Sequence, residues 1–374
     1  MADKFRAWVM VEPGKVEMRD FTMPDIPDDG ALLKVEACGI CGTDKHAYLE
    51  QTPNAPFPFI PGHEFIGTIE KLGSKASEKM AVFGGPVKEG DRVSVAGSSL
   101  PCGHCYFCLT MPHRPTLCIN RVIYGLASLK RVPTIFGGYS EYIPLHADTY
   151  IFKLPEGMPL RRAVLIEPLS NGIRAVERAY SPGEPYMGHG YGIGRSAMVL
   201  GTGPVGLMAV AALRYSGAGL IIAQDIFDSK LDMARQMGAD VTINGNRPFE
   251  ERQKQVRKMT DGYGPDVVIE AAGVPVAFME AVELVRPGGK VIEIGNFSDT
   301  GTVAIHPSTV CVKDIDIHGC MAYPAVTFRD AISLLEHSPL PIEEVTTHVL
   351  PLEELPRGLD LAGSDGVGKV AIAP

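Results

Sequence analysis

The sequence predicts an α/β protein in which a β-rich domain precedes a doubly wound parallel sheet. Two observations carry that expectation. Up to about residue 165, short alternating segments separated by Gly and Pro read as antiparallel strands, at 31–40, 65–73, 91–97 and 137–145. From about 197, apolar runs at 196–201, 219–225, 240–244, 266–273, 290–297 and 314–320 alternate with helical stretches at 205–217, 228–238, 249–260 and 276–289. Six strands with short crossovers imply a parallel sheet covered on both faces. Beyond 321 there remain one helix (328–338) and two short strands, too little for a domain, so this segment returns to complete the first one. The expected division is therefore 1–168 with 322–374, and 169–321. The Gly-, Pro- and Tyr-rich stretch 181–195 reads as a surface loop or lobe.

Composition narrows the function. The 374 residues carry 35 Lys and Arg against 44 Asp and Glu, a net charge of −9, so no basic field exists to hold a phosphate backbone. Nucleic acid is excluded as an expected partner. With 45% apolar and 21% charged residues, the balance is that of an ordinary globular chain. The N-terminus is broken by charges and lacks a signal-peptide core. The uncharged apolar run 196–213 contains Gly201, Gly203, Pro204 and Gly206, which suit a strand–turn–helix and not a membrane span. A soluble cytoplasmic protein is expected, with no membrane partner.

Gly201-Thr-Gly203-Pro204-Val205-Gly206 follows the strand at 196–200 and opens a helix. The first glycine permits the tight turn, the second lets a pyrophosphate approach the backbone, and the third lets helix pack on strand; the helix N-terminus supplies free N–H groups. Asp225 ends the next strand, where a carboxylate binds both ribose hydroxyls and repels a 2′-phosphate. NAD is favoured over NADP.

Eight cysteines are too few for a disulfide scaffold, yet Cys102, Cys105, Cys108 and Cys118 fall in one loop. Four thiolates at that spacing match a closed tetrahedral structural zinc in a lobe at 101–118. A second donor set is dispersed: Cys41 in Cys38-Gly-Ile-Cys41-Gly-Thr-Asp44, and His63-Glu64 in Pro61-Gly62-His63-Glu64-Phe65-Ile66-Gly67. Three protein ligands of these types leave the open position that catalysis needs.

The segments CGICGTDKH, PGHEFIG and GTGPVG, in that order, resemble the zinc-dependent medium-chain dehydrogenase/reductase family, nearest its sorbitol, polyol and butanediol dehydrogenases. The resemblance implies a GroES-like catalytic domain joined to a Rossmann domain, with the active site in the cleft between them. It implies Cys41 and His63 as catalytic zinc ligands, with Glu64 either a direct ligand or seated just behind the metal. Glu167, in Ile166-Glu167-Pro168-Leu169, stands where simple alcohol dehydrogenases carry a cysteine ligand, and an acidic residue there is similar to the polyol group. Asp44 would orient a ligand by hydrogen bonding. Thr43 would take the substrate proton and pass it through the cofactor ribose to His46. The family is commonly dimeric or tetrameric, pairing through Rossmann edge strands such as 314–320.

The expected function is thus reversible hydride transfer between NAD and a small secondary alcohol or polyol. A threonine 3-dehydrogenase-like amino-alcohol oxidiser is the alternative within enzymes, and a binding protein that kept the fold without activity is the alternative outside them. Three departures from the family stand out: nine residues between Cys108 and Cys118, Arg174 where many relatives have histidine, and the 181–195 insertion. The substrate pocket is expected near Tyr48, Phe57 and Phe59.

Overall fold

The computed structural model describes residues 4–97, 100–130, 136–180 and 191–374. The chain divides into two compact units, one of Met1–Glu167, Ala322–Ser338 and Thr346–Pro374, the other of Pro168–Met321 and Pro339–Val345.

In the first unit β1 (Lys4–Glu12) and β2 (Lys15–Thr22) form an antiparallel hairpin. An eight-stranded sheet is built from β3 (Ala31–Gly39), β4 (Glu64–Leu72), β5 (Ala81–Phe83), β6 (Arg92–Val95), β7 (Tyr142–Leu145), β8 (Tyr150–Lys153) and the C-terminal strands Thr346–Pro351 and Lys369–Ala373. The last strand lies antiparallel to β3, with Ala371 opposite Gly39. The sheet is mixed and not purely antiparallel. Thr346–Pro351 and Lys369–Ala373 run parallel because the helix Leu355–Leu361 crosses between them, and β5 runs parallel to β8. Leu33, Val35, Phe65, Ile69, Val93 and Ile143 face one core from neighbouring strands. Tyr124 closes that core, its ring stacked on Phe136 at 3.9 Å and its hydroxyl on Thr149 at 2.8 Å.

The second unit holds six parallel strands: β9 (Ser196–Leu200), β10 (Leu220–Asp225), β11 (Val241–Asn244), β12 (Val267–Glu270), β13 (Lys290–Glu293) and β14 (Asp316–Gly319). Their order is β11-β10-β9-β12-β13-β14, so the chain reverses direction across the sheet between β9 and β12, where open α/β sheets bind ligands. Strand interiors such as Met198, Ile222, Val268 and Val291 are buried, as both faces are covered by helices. Arg252 ties two of those helices to β10, donating to both carboxylate oxygens of Glu280 (2.7 and 2.6 Å) and to Gln224 (2.9 Å). The part of the 181–195 stretch at 181–190 lies outside the described residues. Among those described, no helix is long and apolar enough to cross a membrane.

Candidate metal and dinucleotide sites

β3 ends in Cys38-Gly39, and the chain turns at Cys41 into the helix Gly42–Tyr48. Cys41 caps that helix: its backbone N–H donates to Asp44 Oδ2 at 3.0 Å. The buried Asp44 also accepts from Tyr139 Oη at 2.7 Å and from the Gly62 N–H at 3.3 Å. One carboxylate therefore fixes the backbone before both Cys41 and His63, and this is how Asp44 supports the cluster. Cys41, His63 and Glu64 converge, their donor atoms all within 4.8 Å of one another. Cys38, the other half of the Cys-x-x-Cys, is fully buried core beside Gly62 and Gly138 and joins no cluster.

Two carboxylates share the pocket with different partners. Glu64 receives Lys369 Nζ on both oxygens, at 2.7 and 2.5 Å, and the same ammonium donates to the Ile40 carbonyl at 3.0 Å. Lys369 is 2% exposed and Glu64 also 2%, and Gly39 is required beside them: a Cβ there would meet Glu64 Oε2 at 2.1 Å. Glu167, at the start of the helix Ile166–Ala179, is buried, and burial together with the charge of Glu64 raises its carboxyl to about 7. For His63, burial works to lower the pKa, but Cys41, Asp44 and Glu167 overcome it and raise it well above the ordinary value. His63 Nδ1 is buried without a hydrogen-bond partner. A thiol, an imidazole and a carboxylate gathered this closely, with one buried ring nitrogen left unsatisfied, fit a divalent cation. Thr43 Oγ1 lies 3.6 Å from Cys41 Sγ, and His46 Nδ1 is 2.6 Å from Gln51 Oε1. Tyr48, Phe57 and Phe59 pack with Met10 and Ala47 into an apolar cluster of their own, in which Phe59 is fully buried.

The four lobe cysteines also meet. Cys105 Sγ lies 3.5 Å from Cys108 Sγ and 3.9 Å from Cys118 Sγ, and all four sulfurs fall within 4.8 Å. Those separations are far too long for disulfides and close to the ~3.8 Å between sulfurs on a tetrahedral zinc. Backbone N–H groups of His104 and Cys105 act on the Cys102 sulfur, His104 most, and pull its thiol down to about 6. The nine-residue spacing before Cys118 is taken up by the helical turn Pro115–Leu117, so the longer loop still closes.

At the end of β9 the glycine turn behaves as its residues demand. Gly201 has φ +88°, and a Cβ on it would meet the Ala272 backbone at 2.5 Å; one on Gly206 would meet the Gly201 carbonyl at 1.9 Å. Gly203 faces open space and caps the helix Pro204–Tyr215. Asp225 folds back on this turn: Oδ2 accepts the Thr202 N–H at 2.7 Å and its hydroxyl at 3.1 Å, while Oδ1 accepts the Phe227 N–H at 3.1 Å.

Sequence reasoning missed Lys369, Tyr139 and Thr202. Only Lys369 left a trace, a lone cation opening the apolar strand Lys369–Ala373.

Comparison with known proteins agrees with this layout. Residues 204–337 match the zinc-binding dehydrogenase family and residues 27–156 the alcohol dehydrogenase GroES-like domain. Erythritol/L-threitol dehydrogenase of Mycolicibacterium smegmatis is 31% identical, over 100% of this chain and 98% of that protein. The chain belongs to the zinc-dependent medium-chain dehydrogenase/reductase family. Its first unit is accordingly GroES-like and its six-stranded sheet Rossmann-type, and as a family member it is an oxidoreductase acting on alcohols. L-threonine 3-dehydrogenase of Bacillus licheniformis is 32% identical, over 94% of this chain and 93% of that protein. An alcohol dehydrogenase of Thermotoga maritima superposes with a TM-score of 0.88 at 28% identity, covering 100% of both chains. Family members with different substrates thus stand at nearly equal identity.

Proposed function

We propose that the protein is an NAD- and zinc-dependent dehydrogenase that converts a small secondary alcohol or polyol reversibly into its ketone or aldehyde. The observation that carries this reading is the convergence of Cys41, His63 and Glu64, whose donor atoms all lie within 4.8 Å of one another. Cys41, His63 and Glu167 are the donors we assign to a catalytic zinc. Both oxygens of Glu64 are already engaged by Lys369, so Glu64 serves behind the metal. Cys102, Cys105, Cys108 and Cys118 are assigned to a structural zinc. A catalytic zinc supplies Lewis acidity that makes a substrate hydroxyl much more acidic, and NAD supplies the hydride acceptor.

The chain's own residues do the rest. Thr43, beside Cys41, accepts the proton from the substrate hydroxyl. His46 releases it to solvent, with Gln51 holding the ring. Asp225, held by Thr202, binds the adenosine ribose and disfavours a 2′-phosphate; Gly203 leaves the backbone open to the pyrophosphate. The edge strand β14 offers a second copy the pairing common in this family, so a homodimer or homotetramer is expected.

The test is NADH formation across sorbitol, erythritol, butanediol, inositols, threonine and simple secondary alcohols. Each is run with NAD and NADP, with and without a zinc chelator. Chelator-sensitive turnover with NAD on a polyol supports the reading. Preference for NADP overturns the role of Asp225, and preference for threonine moves the enzyme to the amino-alcohol group.

A further inference from the structure

The helix Gly42–Tyr48 ends in a turn that brings the chain back onto His46. Leu49 closes the helix, and Glu50 follows in the left-handed conformation, φ 60°, which residues other than Gly and Asn seldom adopt. There the Glu50 N–H donates to the Ala47 carbonyl at 3.3 Å and the Gln51 N–H to the His46 carbonyl at 2.7 Å. These are the two bonds of a Schellman motif, with Gln51 as the residue that returns to the last helical turn. The Gln51 side chain then meets the same histidine again, its Oε1 lying 2.6 Å from His46 Nδ1. A carboxamide oxygen only accepts, so Nδ1 carries the hydrogen and Nε2 keeps its lone pair. Nε2 lies toward the start of the helix. Helical side chains lean that way, and a Cβ built on Gly42 would stand 3.9 Å from His46 Nε2 and 3.8 Å from its Cδ2. Glycine at 42 leaves this space open, and Thr43, three residues before His46, shares its face of the helix.

We propose that Gln51 is a positioning residue for proton release: its side chain holds His46 in the tautomer whose lone pair, on Nε2, accepts the proton. The inference rests on the relay through Thr43 and His46 given above. Without this bond the imidazole divides between two tautomers and turns about its side-chain bonds, so only a fraction of molecules present a lone pair where the proton arrives. The left-handed turn at Glu50 is what makes the contact, since it carries Gln51 back over the residue that it must hold. The competing role is that Gln51 merely finishes the helix. Changing its side chain separates the two, because both Schellman bonds are made by backbone groups.

The experiment measures kcat/KM for the best alcohol of the panel with zinc-loaded wild type, Gln51→Met, Gln51→Glu, His46→Gln and the double variant His46→Gln with Gln51→Met. Gln51→Met should lower kcat/KM about three- to tenfold, the range of one hydrogen bond, with zinc content and thermal midpoint unchanged. Gln51→Glu keeps an acceptor oxygen and should hold kcat/KM at the wild-type level or above. In the His46→Gln background, Gln51→Met should cost nothing further, because it acts only through the imidazole. Wild-type kcat/KM in Gln51→Met overturns the proposal. So does an equal loss in both backgrounds, or a loss that Gln51→Glu shares. Should His46→Gln keep full activity, the relay itself fails and the role of Gln51 falls with it. The readout besides turnover is the nitrogen-15 spectrum of the His46 ring at alkaline pH, assigned by its disappearance in His46→Gln. Wild type should show Nδ1 protonated and Nε2 bare, and Gln51→Met a mixture of tautomers. The same spectrum in both proteins overturns the proposal, whether or not any alcohol is turned over.

Discussion

The two donor clusters of this chain solve the same chemical problem by opposite routes. The lobe gathers four sulfurs of one kind from residues 102–118, so a single loop closes around them. The second cluster draws a thiol, an imidazole and a carboxylate from β3's end and the Gly62 turn, and the charge of Glu167, from a distant helix, acts on His63. Local contacts alone do not hold those groups together. Asp44, Tyr139 and Lys369 do so, and each belongs to a different segment. A closed, uniform set suits a structural ion, whereas an open, mixed set embedded in a rigid frame suits a reactive one.

Removing one donor from each cluster should separate the two roles most sharply. Cys41→Ser should lower turnover by roughly a thousandfold or more, about 4 kcal/mol of transition-state stabilisation, with little change in thermal midpoint. Cys118→Ser should do the reverse, lowering the midpoint by several degrees or more while folded molecules keep most of their activity, since a structural zinc contributes folding energy. Zinc content should fall from two per chain to one in both variants. Equal loss of activity in both would erase the distinction.

The frame around the dispersed cluster comes next. Lys369→Met leaves the Glu64 carboxylate buried without its partner, which should cost about 3–5 kcal/mol of unfolding free energy in a denaturant titration. Glu64→Gln in the same chain should recover much of that loss. If the double variant is no better than Lys369→Met alone, packing and not charge is what Lys369 contributes. Asp44→Asn should be milder. An amide placed among three donors can accept from only some of them, so zinc affinity at this cluster should fall about 10- to 100-fold. The lobe zinc should stay bound, and a competition titration with a chromogenic chelator would resolve the two.

How much of this was legible in advance follows from the same contrast. The lobe could be read because its donors are neighbours in sequence, and the glycine turn because Gly201 and Gly206 each answer a local steric demand. The inner strands β9, β10, β12 and β13 could be read because buried strands are near-continuous apolar runs, whereas the edge strands β11 and β14 are mostly not buried. The mixed pairing of the first sheet could not, since it depends on a crossover between two C-terminal strands that carry no pairing signal of their own. The partner of Lys369 could not be read for a related reason. Glu64 is 305 residues away, and only the return of the last strand beside β3 brings them together. Thr202 and Tyr139 are ordinary residues whose roles arise from the atoms they meet.

A third buried acidic site completes the comparison and carries the smallest expected effect. Glu270 and Glu293 end β12 and β13 directly opposite each other, and Asn296 Nδ2 donates to both, at 3.1 and 3.2 Å. Where Glu64 has a lysine and Glu167 is assigned a metal, Glu270 is pushed toward its protonated form. Burial, reinforced by the charge of Glu293, raises Glu270 from 4.5 to about 8. The unfolded chain gives up that proton at the ordinary carboxylate pKa, so between these two values the folded protein holds more protons than the unfolded one. Stability from this group is therefore fully present at low pH and is lost as pH rises through about 8. Glu293→Gln removes the like charge and places an amide donor beside Glu270, so its carboxylate can ionise at less cost, with burial still opposing it. Melting curves of zinc-loaded protein from pH 6 to 9 should show wild type losing a few degrees relative to the variant as pH rises. Parallel curves would mean that the two carboxyls do not share a proton and that Asn296 alone reconciles them.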